Sequence, residues 1–498
     1  MKHQITGILF SSLAATCLAA DQAPKPDILL IMPDQMRGDC MSILGHPAVR
    51  TLNLDELAQQ GALFRRAYAT VPSCIPARYA LLTGIAPQTS GVVGFAAKPF
   101  ATPPLPELLA GAGYSTVLVG RNMHQPVASK NCGYQKQILG STYIDDDEYD
   151  TFLKQNAPES GGIKNLVGKK LKISYNTSSA KPWPLPENLH PTVWVVSQSC
   201  KVVCDTPTDQ PLFLTASFYA PHPPLFPPPR FFDAYLQKTL PAPAHGDWVD
   251  WNSLSPKGNQ KGDRILLEGD ALRNDQAGYF GLIEQLDSEI AKVIADFKAR
   301  SAKAGRPWLI VVTSDHGEML GDHGYFRKCE PYEGSANIPF IIAGSPELGF
   351  KPGLRCNQPV CLEDIMPTLL QLAGVARPVG IDGVSLIPVL GGDSAVIREY
   401  LHFEHAPIYN AEQSFQALTD GRFKYIWRPN DGAEQLFDLQ NDPKEERNLA
   451  VNPEALPVLE QWCTRLIKQL SSRPEGFSDG QKLIPGRPYK ALNAGDEK

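Results

Sequence analysis

One thiol and one guanidinium stand at a spacing that can do chemistry. Cys74 and Arg78 flank Pro76 in Val71-Pro-Ser-Cys-Ile-Pro-Ala-Arg-Tyr-Ala-Leu-Leu-Thr-Gly84. Four residues apart on a helix, the two side chains share a face. Proline fixes φ and suits a helix start, and a helix N-terminus favours an anion. A second set of polar residues follows short apolar runs: Asp34 and Gln35, His124, His222, and Asp315 with His316. Thiol, carboxylate and imidazole are the groups that attack, move protons and ligate cations. Each also has a plainer reading. A lone cysteine usually packs as a small hydrophobe, Asp after a strand caps a turn, and a loop histidine sits on the surface. Their shared position after strand ends singles them out.

The elements that must position them are legible as periods. Residues 27–32, 115–119, 211–219, 308–314 and 338–343 are continuous apolar runs, the pattern of strands buried on both faces. Helical spacing covers 51–67, 105–112 and 271–300, and a proline-rich loop spans 220–229. Strands alternating with helices predict an α/β fold, a large mostly parallel sheet sandwiched by helices, with ligands outside the carboxyl ends of the strands. After about residue 395 the pattern changes to short strands at 400–404, 414–418, 423–427 and 435–439, then a helix at 456–470. This predicts a smaller C-terminal antiparallel sheet plus helix. The expected division is 1–20 as a signal peptide, 24–395 as the catalytic domain and 396–498 as the smaller α+β domain.

The 498 residues are 43% hydrophobic and 20% charged, which excludes global disorder. Lys and Arg number 47 against 53 Asp and Glu, a net charge of −6, so nothing favours a nucleic-acid or polybasic membrane binder. An anionic ligand must be held by a local site. Residues 1–20 carry a short basic start, an apolar run and small residues at its end, the pattern of a secretory signal. Export to the periplasm or medium is expected. The surroundings of Cys17 fit a lipoprotein anchor poorly, and no later stretch is long and apolar enough to span a membrane. Of ten cysteines, nine remain after the signal. In an exported protein these invite disulfides, with Cys200/Cys204 and Cys356/Cys361 as local candidates. Nine is odd, so one thiol is free, modified or paired between chains.

Cys-x-Pro-x-Arg followed by Leu-Leu-Thr-Gly resembles the signature of the type I, formylglycine-dependent sulfatases, within the alkaline phosphatase-like superfamily. The strand over 28–35, Asp315-His-Gly, Lys328 with Tyr332-Glu-Gly-Ser335, and the late Thr419-Asp-Gly-Arg-Phe-Lys-Tyr segment occur in that family's order. The resemblance implies that Cys74 is converted to formylglycine, whose hydrate attacks sulfur, by a formylglycine-generating or sulfatase-maturating enzyme. Eight thiols would then remain, an even number. It implies Asp34, Gln35, Asp315, His316 and the modified Cys74 as ligands of Ca²⁺, the ion that mostly oxygen ligands suit. Gln35 stands where many relatives carry Asp, and His316 where some carry Asn. Lys328 resembles the sulfate-binding lysine, and His222 the histidine that contacts sulfate and protonates the leaving oxygen. Gly120-Arg-Asn-Met-His124 resembles a Gly-Lys-x-His motif with Arg121 for Lys and one extra residue; His124 is the candidate base that regenerates the aldehyde. Arg78 would hold the hydrate's oxygens. In the smaller domain, Trp427 with Arg428, and the 400–405 segment with His405, could border the substrate pocket, Trp427 stacking on a sugar; core packing is the plain alternative.

The expected activity is hydrolysis of sulfate monoesters, of a small molecule or glycan and above all of carbohydrate. Two other readings stay open. One is a phosphoester or phosphonate hydrolase of the same superfamily. The other is an unmodified protein that captures sulfated glycans without turnover.

Overall fold

The computed structural model describes residues 24–124, 131–175, 179–258, 260–393 and 396–492. The expected signal peptide lies outside the described residues. In chain order the strands are β1 (Asp27–Asp34), β2 (Ala62–Phe64), β3 (Ala67–Tyr68), β4 (Ser115–Gly120), β5 (Lys136–Leu139), β6 (Leu212–Pro221), β7 (Trp308–Thr313), β8 (Phe340–Gly344), β9 (Leu354–Cys356), β10 (Val360–Cys361), β11 (Leu401–His405), β12 (Phe415–Thr419), β13 (Phe423–Trp427) and β14 (Glu434–Asp438). Eight of them form one sheet, ordered β5-β4-β6-β1-β7-β8-β2-β9. Only β8 runs against the rest.

β1 lies at the centre and shows why its run is apolar throughout. Successive side chains point to opposite faces. Leu29 and Ile31 enter one core, under the Pro191–Asp205 and Gly269–Lys303 helices; Ile28, Leu30 and Met32 enter the other, with Ala77, Leu81 and Leu82 of the Cys74–Thr83 helix. Both faces are buried, so the strand offers chemistry only at its carboxyl end.

Several elements differ from expectation, among them strands β5 and β9 and the Pro191–Asp205 helix, none of them expected from the sequence. The helix expected over 51–67 is Leu52–Gln60 only, and 62–64 is strand β2. Gly61 makes the break: a Cβ there would sit 2.2 Å from the carbonyl oxygen of Ile342, so the chain passes too close to β8 for any side chain. The paired strands β3 and β10 were not foreseen either.

A separate antiparallel sheet, ordered β11-β12-β13-β14, carries the Leu456–Leu470 helix on it through Trp462, Leu466 and Leu470. The nine cysteines among the described residues are all unpaired, which corrects the expected disulfides. Cys200 and Cys204 sit one turn apart on a single helix, where the backbone holds their Cβ vectors parallel, not facing. Six of the nine are buried, and four of these, Cys40, Cys132, Cys356 and Cys361, pack as small apolar groups. No described helix is long and apolar enough to cross a membrane.

Candidate active site

Strand ends and one helix start converge. Asp34 closes β1, Arg121 follows β4, His222 follows β6, and Asp315 comes two residues after β7. Cys74 opens the Cys74–Thr83 helix, with Ser73 as its extended N-cap; at the far end Gly84, φ 66°, closes it through an N–H···O bond to Ala80. Arg78, one turn on, is fully buried and binds both acidic ends: Nη2 lies 2.9 Å from Asp34 Oδ2 and Nε 2.9 Å from Asp315 Oδ2. Arg121 adds an ion pair from Nε to the same Asp34 carboxylate. It lies 4.7 Å over Tyr219 and 5.3 Å over Tyr143. Arg78 therefore ties the two acids together.

The Cys74 sulfur is surrounded by cations and imidazoles. Lys328 Nζ is 2.8 Å away, His316 Nε2 3.2 Å and Arg121 Nη2 3.7 Å. Lys328 Nζ also reaches His316 Nε2 at 3.1 Å, His222 Nε2 at 3.3 Å and Gln35 Oε1 at 3.3 Å. His124 Nε2 is 3.0 Å from Arg121 Nη2. The ten expected site residues thus form one buried cluster, except that His124 is only partly buried.

Two imidazoles are fixed by backbone carbonyls. His316 Nδ1 donates to Gly317 O at 2.9 Å, and His222 Nδ1 to Pro223 O at 2.5 Å. His316 thereby turns its Nε2 toward the sulfur, and His222 turns its Nε2 toward Lys328 Nζ.

Burial alone would raise the Cys74 thiol, but Lys328 and His316 outweigh it and hold it well below the ordinary range. Burial, against Arg121 and helped by the neighbouring Asp315, pushes Asp34 up to about 7. Asp315 goes the other way, since His316 and Arg78 outweigh its burial. Burial first and Lys328 next hold His222 well below its usual value.

The donors fit a cation. Asp34, Cys74, Asp315 and His316 bring ligand atoms within 4.8 Å of one another. Asp34 Oδ1 is buried without a hydrogen-bond partner, the state of a ligand atom. Gln35 gives its Nε2 to Glu318 and leaves Oε1 facing the cluster.

Sequence reasoning missed the residues that hold this set. Glu318 accepts from Gln35 Nε2, from Leu320 N and from Arg327 N, tying the first ligand pair to the segment before Lys328. Tyr279, from the long helix, donates to Gln35 O at 2.6 Å. Ser314 Oγ donates to Pro33 O and accepts from Met36 N. Glu318 lies three residues past Asp315, so its segment was in view; Tyr279 carries no local signal.

Trp427 does not stack on a ligand. It is 2% exposed and packs against Phe477, ring centroids 5.8 Å apart, as aromatic residues of a strand commonly do. His405 is buried, its Nε2 2.8 Å from Ser73 Oγ beside the nucleophile.

A family model described as sulfatase matches residues 26–375, and one described as N-sulphoglucosamine sulphohydrolase, C-terminal, matches 321–472. An arylsulfatase of Clostridium perfringens is 35% identical over 487 residues, 94% of this chain and 99% of the relative. A delta 4,5-hexuronate-2-O-sulfatase of Bacteroides thetaiotaomicron is 25% identical over 475 residues, 89% of each chain. Among solved structures, a phosphonate monoester hydrolase from Silicibacter pomeroyi matches with a TM-score of 0.73 and 25% identity, covering 90% of this chain and 95% of that one.

Proposed function

The chain belongs to the sulfatase family and hydrolyses sulfate esters; we propose that it does so as an exported, Ca²⁺-dependent enzyme whose nucleophile is formylglycine made from Cys74. The observation that carries this reading is the Cys74 sulfur itself, buried at the N-terminus of a helix among Lys328, His316 and Arg121. Formylglycine, once formed there by a maturating enzyme, supplies a hydrated aldehyde whose one hydroxyl attacks sulfur and whose other drives the sulfate out. Asp34, Gln35, Asp315 and His316 would hold Ca²⁺, which would supply charge to polarise the sulfate oxygens.

The chain's own residues do the rest. Lys328 and Arg121 hold the anionic oxygens, Arg121 as a planar fork. Arg78 keeps the two carboxylates in place. Lys328 Nζ and His222 Nε2 share a donor–acceptor pair, so the proton for the bridging oxygen comes from that pair. His124 accepts the proton when the aldehyde is regenerated. Protonation of this kind is worth roughly a hundredfold to ten-thousandfold, and a sugar alkoxide needs it where an aryl oxide does not. That favours a carbohydrate sulfate, as does the likeness to a hexuronate sulfatase. Export rests on the pattern of residues 1–20, and the division into 24–395 and 396–498 on the change of pattern between the two sheets.

A phosphonate or phosphate ester hydrolase is the second reading, because the same cluster can hold either tetrahedral anion and a phosphonate hydrolase shares the fold. The test is kcat/KM of enzyme purified from a host that matures sulfatases, on a sugar sulfate, an aryl sulfate and a phosphonate monoester. The sulfates are expected to be faster by at least about tenfold, some 1.4 kcal/mol of transition-state binding. A faster phosphonate ester would replace this reading by the second.

A further inference from the structure

Six arginines are buried among the described residues: Arg78, Arg121, Arg300, Arg327, Arg428 and Arg473. Five of them pair with carboxylates: Arg78 and Arg121 with Asp34, Arg300 with Asp27, Arg428 with Glu330, and Arg473 with Glu404. Arg327, 5% exposed, pairs with no described carboxylate, and its Nε and Nη1 are buried without a hydrogen-bond partner. A buried guanidinium without a counter-charge is expensive and persists only for a reason.

Its neighbourhood supplies the reason. Arg327 directly precedes Lys328, the other buried cation of the site whose contacts include no carboxylate. Both residues flanking Lys328 hold left-handed backbone, Arg327 at φ 70° and Cys329 at φ 76°, a cost that side chains pay at functional sites. The Arg327 charge reaches His222, and its side chain hydrogen-bonds Tyr409. Tyr409 and Phe95 meet edge to face, 6.4 Å apart; both are more than a third exposed, and Phe95 in turn meets His405 beside the nucleophile. A cation without a described counter-charge therefore lies beside the catalytic cluster, under an exposed aromatic rim.

We propose that Arg327 is a specificity residue that binds a second oxyanion, a carboxylate or a sulfate, carried by the alcohol half of the ester. The inference rests on the sulfatase reading for the position of the first sulfate at Lys328. The preferred substrate is then a monoester whose leaving group is itself acidic, and Phe95 and Tyr409 offer the ring platform for it.

Binding tests this without turnover. In a Cys74→Ala background, calorimetry compares phenyl sulfate with its three carboxyphenyl sulfate isomers and with the phenylene disulfates. At least one second-anion ligand is expected to bind about tenfold or more tighter than phenyl sulfate, as a charge-assisted pair provides. The carboxylate and disulfate arms show which oxyanion it is. Adding Arg327→Met is expected to bring that ratio to about one, and Arg327→Lys to an intermediate value. A ratio near one in the Arg327 protein overturns the proposal, even if neither variant folds. So does a ratio that survives Arg327→Met. Failure of the sulfatase reading appears elsewhere, as absence of sulfate release by matured Cys74 enzyme, and leaves these ratios unchanged.

Discussion

Two buried lysines, 96 positions apart, are treated in opposite ways. Lys424, on β13 of the small sheet, is fully buried and lies 2.7 Å from Glu333 and 2.7 Å from Glu445. Lys328, at the carboxyl end of the large sheet, is equally inaccessible and touches a thiol, two imidazoles and an amide oxygen instead. The first arrangement is complete, and its charges are neutralised within the protein. The second is matched only by the Cys74 sulfur, and conversion of that thiol to formylglycine would leave its positive charge for a ligand. Buried ions matched by the protein hold structure, whereas buried ions left unmatched mark where a ligand belongs.

The comparison breaks if the two lysines respond alike to removal. Lys424→Met leaves buried Glu445 without a cation and Glu333 with Arg66 alone, and is expected to destabilise the fold by about 3–5 kcal/mol, read as a lower denaturant midpoint. In the matured enzyme Lys328→Met is expected to keep the midpoint at or above that of the parent, because there it removes a buried charge with no anionic contact. It should instead lower kcat/KM for sulfate esters by about 10²–10³, the loss typical of one charge-stabilising donor. Equal loss of stability in both would remove the distinction.

Acid sharpens it. In the small sheet Glu404 is fully buried; burial would raise its carboxyl, but Arg473, bidentate at 2.7 and 2.8 Å, and His402 outweigh it and hold it at about 2 against an ordinary 4.5. Its contribution to stability is complete above pH 4.5 and is lost as pH falls toward 2, about 3 kcal/mol in all. Glu404→Gln is expected to flatten the acid limb of a stability–pH curve between those values. An unchanged limb would mean that the pair holds nothing.

The same contrast explains what could be read from the chain alone. β1 and the Cys74-x-Pro-x-Arg78 turn were legible because their signals are local: an unbroken apolar run, and a proline fixed beside a helix start. The small sheet was legible in its four short strands. The helix over 51–67 failed because Leu63 fits a helix and a buried strand equally, and only the approach of Ile342 at Gly61 decides. The opposed direction of β8 leaves no trace in a run buried on both faces. The supports of the site were hidden for the same reason: Tyr279 reaches Gln35 from 244 positions away, and Trp427 reads as a platform until the Phe477 contact is known.

The account depends most on the chemical state of residue 74. Trypsin releases residues 67–78 as one peptide, since no Lys or Arg lies between. Mass spectrometry of that peptide, from active enzyme made in a host that matures sulfatases, is expected to show an aldehyde or its hydrate at position 74 in place of the thiol. An intact cysteine in fully active enzyme would contradict the account.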